Sequence, residues 1–488
     1  MKSRIQKKYL LAFASIILLL FALLLSLGEA YWFSIGFAVI STFLFFIRNR
    51  YVQNQYISLS VIFFLFSALY GISGPISLLM GNSSSIVSDE ILWNNMKYYL
   101  VAFYCSSIAF IIGTIVYDQF SKSDFKSFDD VIDNETVDIK RIKTGAIIAA
   151  ILSTAFEIIN ILRAGGMALL FLDKGQYQSI TANMALTLPS GTMYSICGIF
   201  LGMYIGIQKK LCDPHYKKTS LLIILILSPY IVFNVILGMR GALVSILLTS
   251  IISYSIFCPI KKISFKLIFL ILLVYIIMVI IFTNRGIVSL LKKDPDTFWN
   301  LFFTLDRYKN GLNPGNSEFG APFFNFCIFY DKYGMETDYL LGKSYIVGLV
   351  VFIPSFLYYG NKPQQITYQF RDEFFPSLGL KSQITGTGFS SLLEAYWNWS
   401  WLGIIVVYFI IGIILNLLDA QKNKTRTIWL SIASVAIAGT CMSFSRTAMG
   451  GVVANYLYIV IYSFICYFLT SFRWRNQSNK LINNINKK

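Results

Sequence analysis

The chain has 488 residues, of which 56% are hydrophobic and only 13% are charged, and its formal net charge is +17 at pH 7. Soluble domains carry about 25% charged residues, so this composition excludes an ordinary soluble protein and indicates a polytopic membrane protein. In such a protein, basic residues are expected in cytoplasmic loops, and the positive charge therefore does not imply a nucleic-acid partner. The seven cysteines are scattered and the only histidine is His215, which argues against a disulfide framework, a zinc site and most histidine-based catalysis.

Apolar runs of membrane-spanning length recur along the chain and predict about twelve transmembrane helices. The first run follows the basic stretch "MKSRIQKK", has no small-residue cleavage site after it, and is interpreted as a retained helix. The predicted helices cover residues 9–27, 30–47, 56–80, 98–118, 143–161, 183–207, 219–237, 240–258, 266–283, 399–418, 428–444 and 449–470.

The charge pattern predicts that both termini are cytoplasmic. With the N-terminus inside, the inner segments contain "RNR", "KRIK" and "QKNKTR", whereas the first two outer loops have few basic residues. Four regions follow from this topology. They are an N-terminal transmembrane bundle of about nine helices (1–283), a large external region (284–397), the C-terminal transmembrane helices (398–470) and a basic cytoplasmic tail (471–488).

The external region contains a short apolar stretch, "SYIVGLVVFIPSFLYYG" (344–360), which includes Pro354. A full crossing here would place the following basic loops outside, so we predict a re-entrant or interfacial helix near 344–358. A loop as long as 284–397 is usually functional or disordered, and its aromatic content favours an ordered cap.

Three arginines occur at predicted outer helix ends next to glycine or other small residues. Arg240 precedes Gly241 at the start of a predicted helix, Arg446 is in "SRTAMGG", and Arg285 is in "TNRG". An arginine fork beside a helix N-terminus is suited to a pyrophosphate, and small residues allow a ligand to approach. The alternative is that all three are interface anchors.

Glu394 is the carboxylate that lies where a predicted helix enters the membrane. Ser390, Glu394 and Asn398 are four residues apart, so they share one helix face. An aromatic, partly dry setting favours a general base, while the alternative is a structural ion pair; both roles remain open. A second membrane carboxylate, Glu157, is expected to form an ion pair.

Further candidates for contact with sugar or phosphate are Tyr359, Lys362, Arg371 and Tyr396, although the two basic residues are equally consistent with solvated loop charges. Asp294 and Asp296 form a D-x-D pair after two lysines. With no third acidic residue close by, we interpret this pair as a solvated turn and predict no metal site.

Three stretches, "LGMRGALVSILL", "IPSFLYYGNKP" and "TGFSSLLEAYWNWSWLGIIVVYFIIGI", together with the helix count and the late external loop, resemble the O-antigen polymerase (Wzy) family. The resemblance implies a GT-C-like membrane glycosyltransferase of the bacterial inner membrane. It would transfer a growing glycan from undecaprenyl pyrophosphate onto a new lipid-linked repeat unit, without a cofactor, metal or nucleotide sugar. Its partners would be the lipid-linked donor and acceptor glycans, membrane lipid and a chain-length regulator protein.

Two other functions stay open at this stage, a lipid-linked oligosaccharide flippase and an O-antigen ligase. The ligases are implied to use an external histidine, whereas His215 is in a predicted cytoplasmic loop. A transporter of this kind is expected to show internal repeat symmetry, and the chain shows no strong repeat.

Overall fold

The structure is a computed structural model that describes most of the chain. The described residues are 2–82, 87–120, 139–166, 180, 187–211, 216–237, 240–262, 264–284, 287, 290–312, 319–334, 338–353, 358, 363–376, 388–424 and 428–485. Within these ranges the regular secondary structure is helical, without a strand.

The described residues form nineteen α-helices, numbered in chain order. The first nine are α1 (Lys2–Leu27), α2 (Tyr31–Gln53), α3 (Leu59–Leu79), α4 (Asp89–Phe120), α5 (Ile139–Ala164), α6 (Ser190–Lys210), α7 (Tyr216–Ile236), α8 (Arg240–Phe257) and α9 (Phe265–Asn284). The others are α10 (Leu290–Lys293), α11 (Pro295–Phe303), α12 (Leu305–Leu312), α13 (Ala321–Tyr333), α14 (Lys343–Val351), α15 (Ile366–Phe374), α16 (Ser391–Lys424), α17 (Ile428–Ala436), α18 (Cys441–Phe444) and α19 (Met449–Ile485).

Each of the twelve predicted apolar segments overlaps a helix among the described residues, which confirms the all-helical polytopic architecture. Among the described residues, nine helices are long and apolar enough to cross a membrane, and three shorter apolar helices cover Gly241–Phe257, Leu272–Ile281 and Leu430–Phe444. A count of twelve spans therefore remains a prediction. The helix predicted at 399–418 begins eight residues earlier, at Ser391, because polar and aromatic residues at its start hide it from a search for apolar runs.

Close helix packing depends on glycine at several interfaces. On α4, Gly113 faces the backbone carbonyl of Phe409, and on α16, Gly412 faces the carbonyl of Phe110, so a side chain at either glycine would collide with backbone. Small residues at such contacts allow membrane helices to approach closely, and dispersion forces then hold them together. The α4–α16 pair thereby fixes the position of α16, which carries Glu394.

A buried polar network joins several helices at one end of the bundle. Arg48 at the end of α2 pairs with Asp118 at the end of α4 at 2.5 Å, and Asn416 of α16 donates to Asp118 at 2.8 Å. Asp419 of α16 accepts the N–H groups of Leu59 and Ser60, the first residues of α3, at 2.9 and 3.0 Å. The charge pattern places these same helix ends on one side of the membrane, and their contacts agree with that grouping.

The described part of 284–397 contains the short helices α10–α15 and the start of α16, and an external cap stays a prediction. Helix α13 packs into the core against α3 and α4, with Phe323 on Gly74 and the ring of Tyr330 stacked 4.3 Å from that of Tyr98. Helix α14 occupies the stretch predicted to be re-entrant or interfacial. Its nine residues extend about 14 Å, half the thickness of a bilayer core, so this helix does not cross a membrane.

Candidate functional site

An open cavity of about 340 Å³ lies at the end of the bundle opposite the Arg48–Asp118 pair. It is bordered by the N-terminal ends of α6 and α8, by the turn that precedes α19, and by Asn455 of α19. The lining residues are Leu188, Pro189, Ser190, Gly191, Thr192, Ser195, Gly241, Ala242, Val244, Ser245, Gly439, Thr440, Met442, Ser443, Arg446, Asn455 and Ile459.

Two helix N-termini and a guanidinium border the cavity. The first N–H groups of a helix lack intrahelical partners and carry the positive end of the helix dipole, and two helices begin here. Arg446 adds a half-buried guanidinium, and Gly241 leaves open space where a side chain would stand. Two helix N-termini and one guanidinium around a single cavity are suited to a polyanion such as a phosphate or pyrophosphate.

The structure thus places two of the predicted site residues, Gly241 and Arg446, on one cavity. Arg240 is the first residue of α8, next to Gly241, but its side chain lies outside the described part of the chain. Arg285, Tyr359 and Lys362 also lie outside the described residues.

Glu157 is buried beside the cavity wall and accepts a hydrogen bond from Ser190 Oγ at 2.5 Å. Ser190 is the first residue of α6, so this carboxylate is close to a helix N-terminus, where negative charge is stabilised. The ion pair expected for Glu157 from the sequence stays a prediction.

Glu394 is fully buried, with 0% of its surface exposed, and both carboxylate oxygens have partners. Oε2 accepts the backbone N–H of Met449 at 2.5 Å, and Oε1 accepts Ser344 Oγ at 2.7 Å. Asn398 Nδ2 donates to Ser344 Oγ at 2.7 Å, and Asn398 Oδ1 accepts the N–H of Gly342 at 2.8 Å. We refer to Glu394, Ser344, Asn398 and the Met449 N–H as the carboxylate node.

The carboxylate node joins α14, the start of α16 and the first residue of α19. Met449 follows Arg446 by three residues, so the carboxylate holds the backbone just after the turn that borders the cavity. Ser391 Oγ fixes the other side of that turn by donating to the carbonyl of Phe444 at 2.5 Å. Glu394 itself is not among the residues that line the cavity.

A sharp break divides α16 just after the carboxylate node. Trp399 has φ −145° and ψ 29°, and Ser400 has φ 55° and ψ −145°, a backbone region that side-chain-bearing residues rarely adopt. The chain bends so tightly here that the carbonyl of Ala395 contacts Gly403, where a side chain would not fit. Two carbonyls of the first segment, those of Trp397 and Asn398, accept the N–H groups of Leu340 and Leu341 at 3.1 and 3.2 Å.

Helix α14 packs closely on α19 next to the carboxylate node. A Cβ atom added to Gly348 would lie 2.5 Å from the Cα of Gly450, so the two backbones are nearly in contact. The ring of Tyr345 stacks on Trp399 with centroids 5.4 Å apart. The position of the turn containing Arg446 therefore depends on α14 as well as on Glu394.

Two other predicted contact residues have partners within the protein. The ring of Tyr396 is fully buried against Phe326, and its hydroxyl donates to the carbonyl of Gly334 at 2.9 Å. Arg371 pairs with its neighbour Asp372 through Nε at 2.7 Å. Hydrogen bonds from Gln364 and then Arg371 hold the pKa of Asp372 below its usual value.

The D-x-D pair has a structural role in its first member. Asp294 is the N-cap of α11 and accepts the N–H and the hydroxyl of Thr297 at 3.1 and 2.5 Å. These two hydrogen bonds lower the pKa of Asp294. The solvated turn predicted from sequence is thus a helix cap, and Asp296 lies in the first turn of the same helix.

Sequence reasoning missed Ser344 and Ser190. Ser344 is 50 residues from Glu394 and lies in an apolar stretch. Nothing in that stretch indicates that its serine donates a hydrogen bond to a distant carboxylate. The predicted helix began at residue 183, but the structure begins it at Ser190. Pro189 is a sequence signal for a helix start and could have indicated this boundary.

The helical fold, with nine candidate spans among its described residues, defines a polytopic membrane protein. Residues 319–477 match the family model of the O-antigen polysaccharide polymerase Wzy, which confirms the resemblance over that part of the chain. The matched part contains Glu394 and Arg446, whereas Arg240 and Gly241 lie before it. Comparison with curated proteins and with solved structures gives no significant match.

Proposed function

We propose that the protein polymerises lipid-linked oligosaccharide repeat units into an O-antigen or a related surface polysaccharide. The donor is a growing glycan on undecaprenyl pyrophosphate, the acceptor is a new lipid-linked unit, and the reaction takes place at the outer face of the bacterial inner membrane with both termini cytoplasmic. The match of residues 319–477 to the Wzy polymerase family supports the reaction class.

The observation that carries the proposal is the cavity that brings the N-termini of α6 and α8 together with Arg446. In this reaction the bond from the sugar to the lipid pyrophosphate breaks, and negative charge develops on the leaving group. Fixed dipoles and a guanidinium stabilise such charge without reorganisation, since they are already oriented toward it. A cation with a planar fork can bind two phosphate oxygens, which makes a metal ion unnecessary in this scheme.

Within this scheme, Arg446 and the two helix N-termini bind the pyrophosphate. Arg240 and Arg285 are assigned to the same anion because they stand at or beside predicted outer helix ends. The lipid portion of the donor and acceptor would remain in the surrounding bilayer.

The role of Glu394 follows from its contacts. The acceptor hydroxyl must lose a proton, and a base role for Glu394 would require the acceptor to replace Ser344 as the donor to Oε1. The full burial of this carboxylate and its two neutral donors support a positioning role instead, in which it holds the turn containing Arg446. The general-base role remains the competing hypothesis, and the two roles predict different variant behaviour.

The experiment is reconstitution of the purified protein with lipid-linked repeat units, followed by separation of the products by length. A ladder of products that differ by one repeat unit is expected, and it should persist in the presence of a chelator. Transport of the intact lipid-linked unit without a ladder would instead identify a flippase. A ladder that is lost with chelator and restored by magnesium would contradict the arginine scheme.

A further inference from the structure

Helix α11 exposes an aromatic face that the proposed reaction does not use. Trp299 is 49% exposed and Phe303 is 70% exposed, and Leu305, at the start of α12, is 77% exposed. The rings of Trp299 and Phe303 stack with centroids 5.9 Å apart, as expected for residues four apart on a helix. We refer to the exposed side chains of Trp299, Phe303 and Leu305 as the aromatic face.

The same helix has a distinct polar side. Asp296, Thr297 and Asn300 are exposed, and Asn300 and Thr297 are about 60° and 120° around the helix from Phe303. Phe298 is buried and anchors the helix to the rest of the protein. An exposed helix with an apolar face, a polar face and a buried anchor is the arrangement of an interfacial helix.

Contacts with α9 fix the level at which α11 lies. Tyr308 of α12 accepts a hydrogen bond from Asn284, the last residue of α9, at 2.8 Å and donates to the carbonyl of Phe302 at 2.7 Å. Arg307 donates to the carbonyls of Thr283 and Leu301 at 3.0 and 2.9 Å. Helix α11 is therefore held next to the C-terminal end of α9.

Helix α9 is apolar and has an exposed stripe of its own, formed by Leu272, Ile276 and Ile280 at intervals of four residues. For a membrane helix, lipid is the medium that covers such a stripe. Because α11 is held at the C-terminal end of α9, the aromatic face lies near the level at which this stripe ends. Large aromatic residues concentrate at that depth, the boundary between acyl chains and head groups.

We propose that α10–α12 form a membrane-interface platform, in which Trp299, Phe303 and Leu305 insert into the lipid leaflet where α9 ends. Residues 290–312 contain four basic and three acidic side chains, so their net charge is small. Insertion therefore depends on the aromatic face and not on attraction to anionic lipid. The partner is the bilayer itself, and the platform keeps the external region pressed against the membrane surface.

The test uses the full-length protein in proteoliposomes, with Phe303→Cys and Asn300→Cys each carrying a nitroxide. The parent protein, labelled in the same way, supplies the background from native cysteines. Relaxation by oxygen, which concentrates in lipid, is compared with relaxation by a water-soluble nickel chelate. The Phe303 position should respond mainly to oxygen and the Asn300 position mainly to nickel, with no change when the anionic lipid fraction is raised.

Two results would overturn the proposal. Strong nickel relaxation at both positions would place the helix in water, and shielding of the Phe303 position from both reagents would show that protein covers it. A second measurement requires no new cysteine. Part of the tryptophan emission should be quenched by lipids brominated near the head group, and Trp299→Phe should remove that part of the quenching. Equal quenching in the parent and in Trp299→Phe would also reject insertion.

Discussion

The carboxylate of Glu394 accepts the first backbone N–H of α19, that of Met449, at 2.5 Å. A negative group at this position complements the positive end of the helix dipole and satisfies a donor that has no intrahelical partner. Because Arg446 lies only three residues earlier, this contact between a side chain and a backbone group sets the position of a cationic residue at the cavity.

If Glu394 is a positioning residue, Glu394→Gln should retain more polymerase activity than Glu394→Asp. The glutamine oxygen can accept the Met449 N–H, and its amide nitrogen can donate to Ser344 Oγ, which has acceptor capacity. Aspartate is one methylene shorter and cannot reach both partners. Initial rates of ladder formation at matched protein amounts provide the comparison, and Glu394→Gln should keep the wild-type pH profile. A rate loss of about 10²–10⁴-fold in Glu394→Gln, with Glu394→Asp still active, would instead identify a general base.

Arg446→Lys should lower the polymerisation rate by about 10²–10³-fold, the usual effect of removing one donor to a developing charge. Lysine keeps the charge but loses the planar fork that binds two oxygens. Arg50→Lys is the matched control, since Arg50 is at the far end of α2 and donates to the hydroxyl of Tyr56. The protein should remain folded and in the membrane in both cases. Equal rates for the Arg446→Lys variant and the control would indicate that Arg446 is an interface anchor and does not bind the pyrophosphate.

Gly348→Ala should destabilise the protein by about 1–3 kcal/mol, the usual cost of overpacking a tight contact. The added methyl would lie 2.5 Å from the Cα of Gly450, so α14 would have to move away from α19. Gly36→Ala is the control, because open space surrounds that position on α2, and alanine there should be neutral or stabilising by up to about 1 kcal/mol. Thermal unfolding in detergent measures both, and similar midpoints for the two variants would contradict the close α14–α19 contact.

Asp118→Leu should destabilise the protein by about 3–5 kcal/mol, because it leaves the guanidinium of Arg48 buried without its carboxylate. The double variant Arg48→Met with Asp118→Leu should recover much of this loss, since no uncompensated charge remains. Chemical unfolding of the single and double variants provides the measurement. A double variant as unstable as the sum of the two single variants would show that the pair is not coupled.

The topology predicts opposite labelling of two engineered cysteines. Ser123→Cys, between α4 and α5, should react with an impermeant thiol reagent only after the inner membrane is permeabilised, and Ser317→Cys should react in intact spheroplasts. Both positions lie in segments outside the described residues, so the prediction rests on the charge pattern. Reaction of Ser317→Cys only after permeabilisation would show that this segment is cytoplasmic and would contradict a cavity at the outer face.

Hydropathy was sufficient to predict the long apolar helices, because a segment that is apolar over eighteen or more residues has few alternatives in a membrane. It could not reveal which helices are neighbours. Arg446 and Gly241 were each singled out as residues at helix ends, but only the packing of α6 beside α8 shows that both border one cavity.

The contacts of the carboxylate node could not be predicted from the sequence. Glu394 and Asn398 both contact Ser344, as their shared helical face allows, whereas Ser390 precedes the helix. The partners of Glu394 are a serine 50 residues earlier and a backbone amide 55 residues later. In sequence, an aromatic residue such as Tyr396 near a helix end is equally consistent with a surface that stacks on sugars and with a packed core. Only its burial against Phe326 distinguishes the two in this fold.

Because of the break at Trp399 and Ser400, the direction of side chains before the break does not determine the direction of side chains after it. In an unbroken helix, the direction of Glu394 would determine, at about 100° per residue, which side chains beyond Gly403 face lipid. With the break, the first two turns can direct their polar face to α14 and α19 while the following turns align separately against α4. Substitutions that rotate the preferred lipid-facing side of the membrane span can therefore accumulate without turning Glu394 away from Met449.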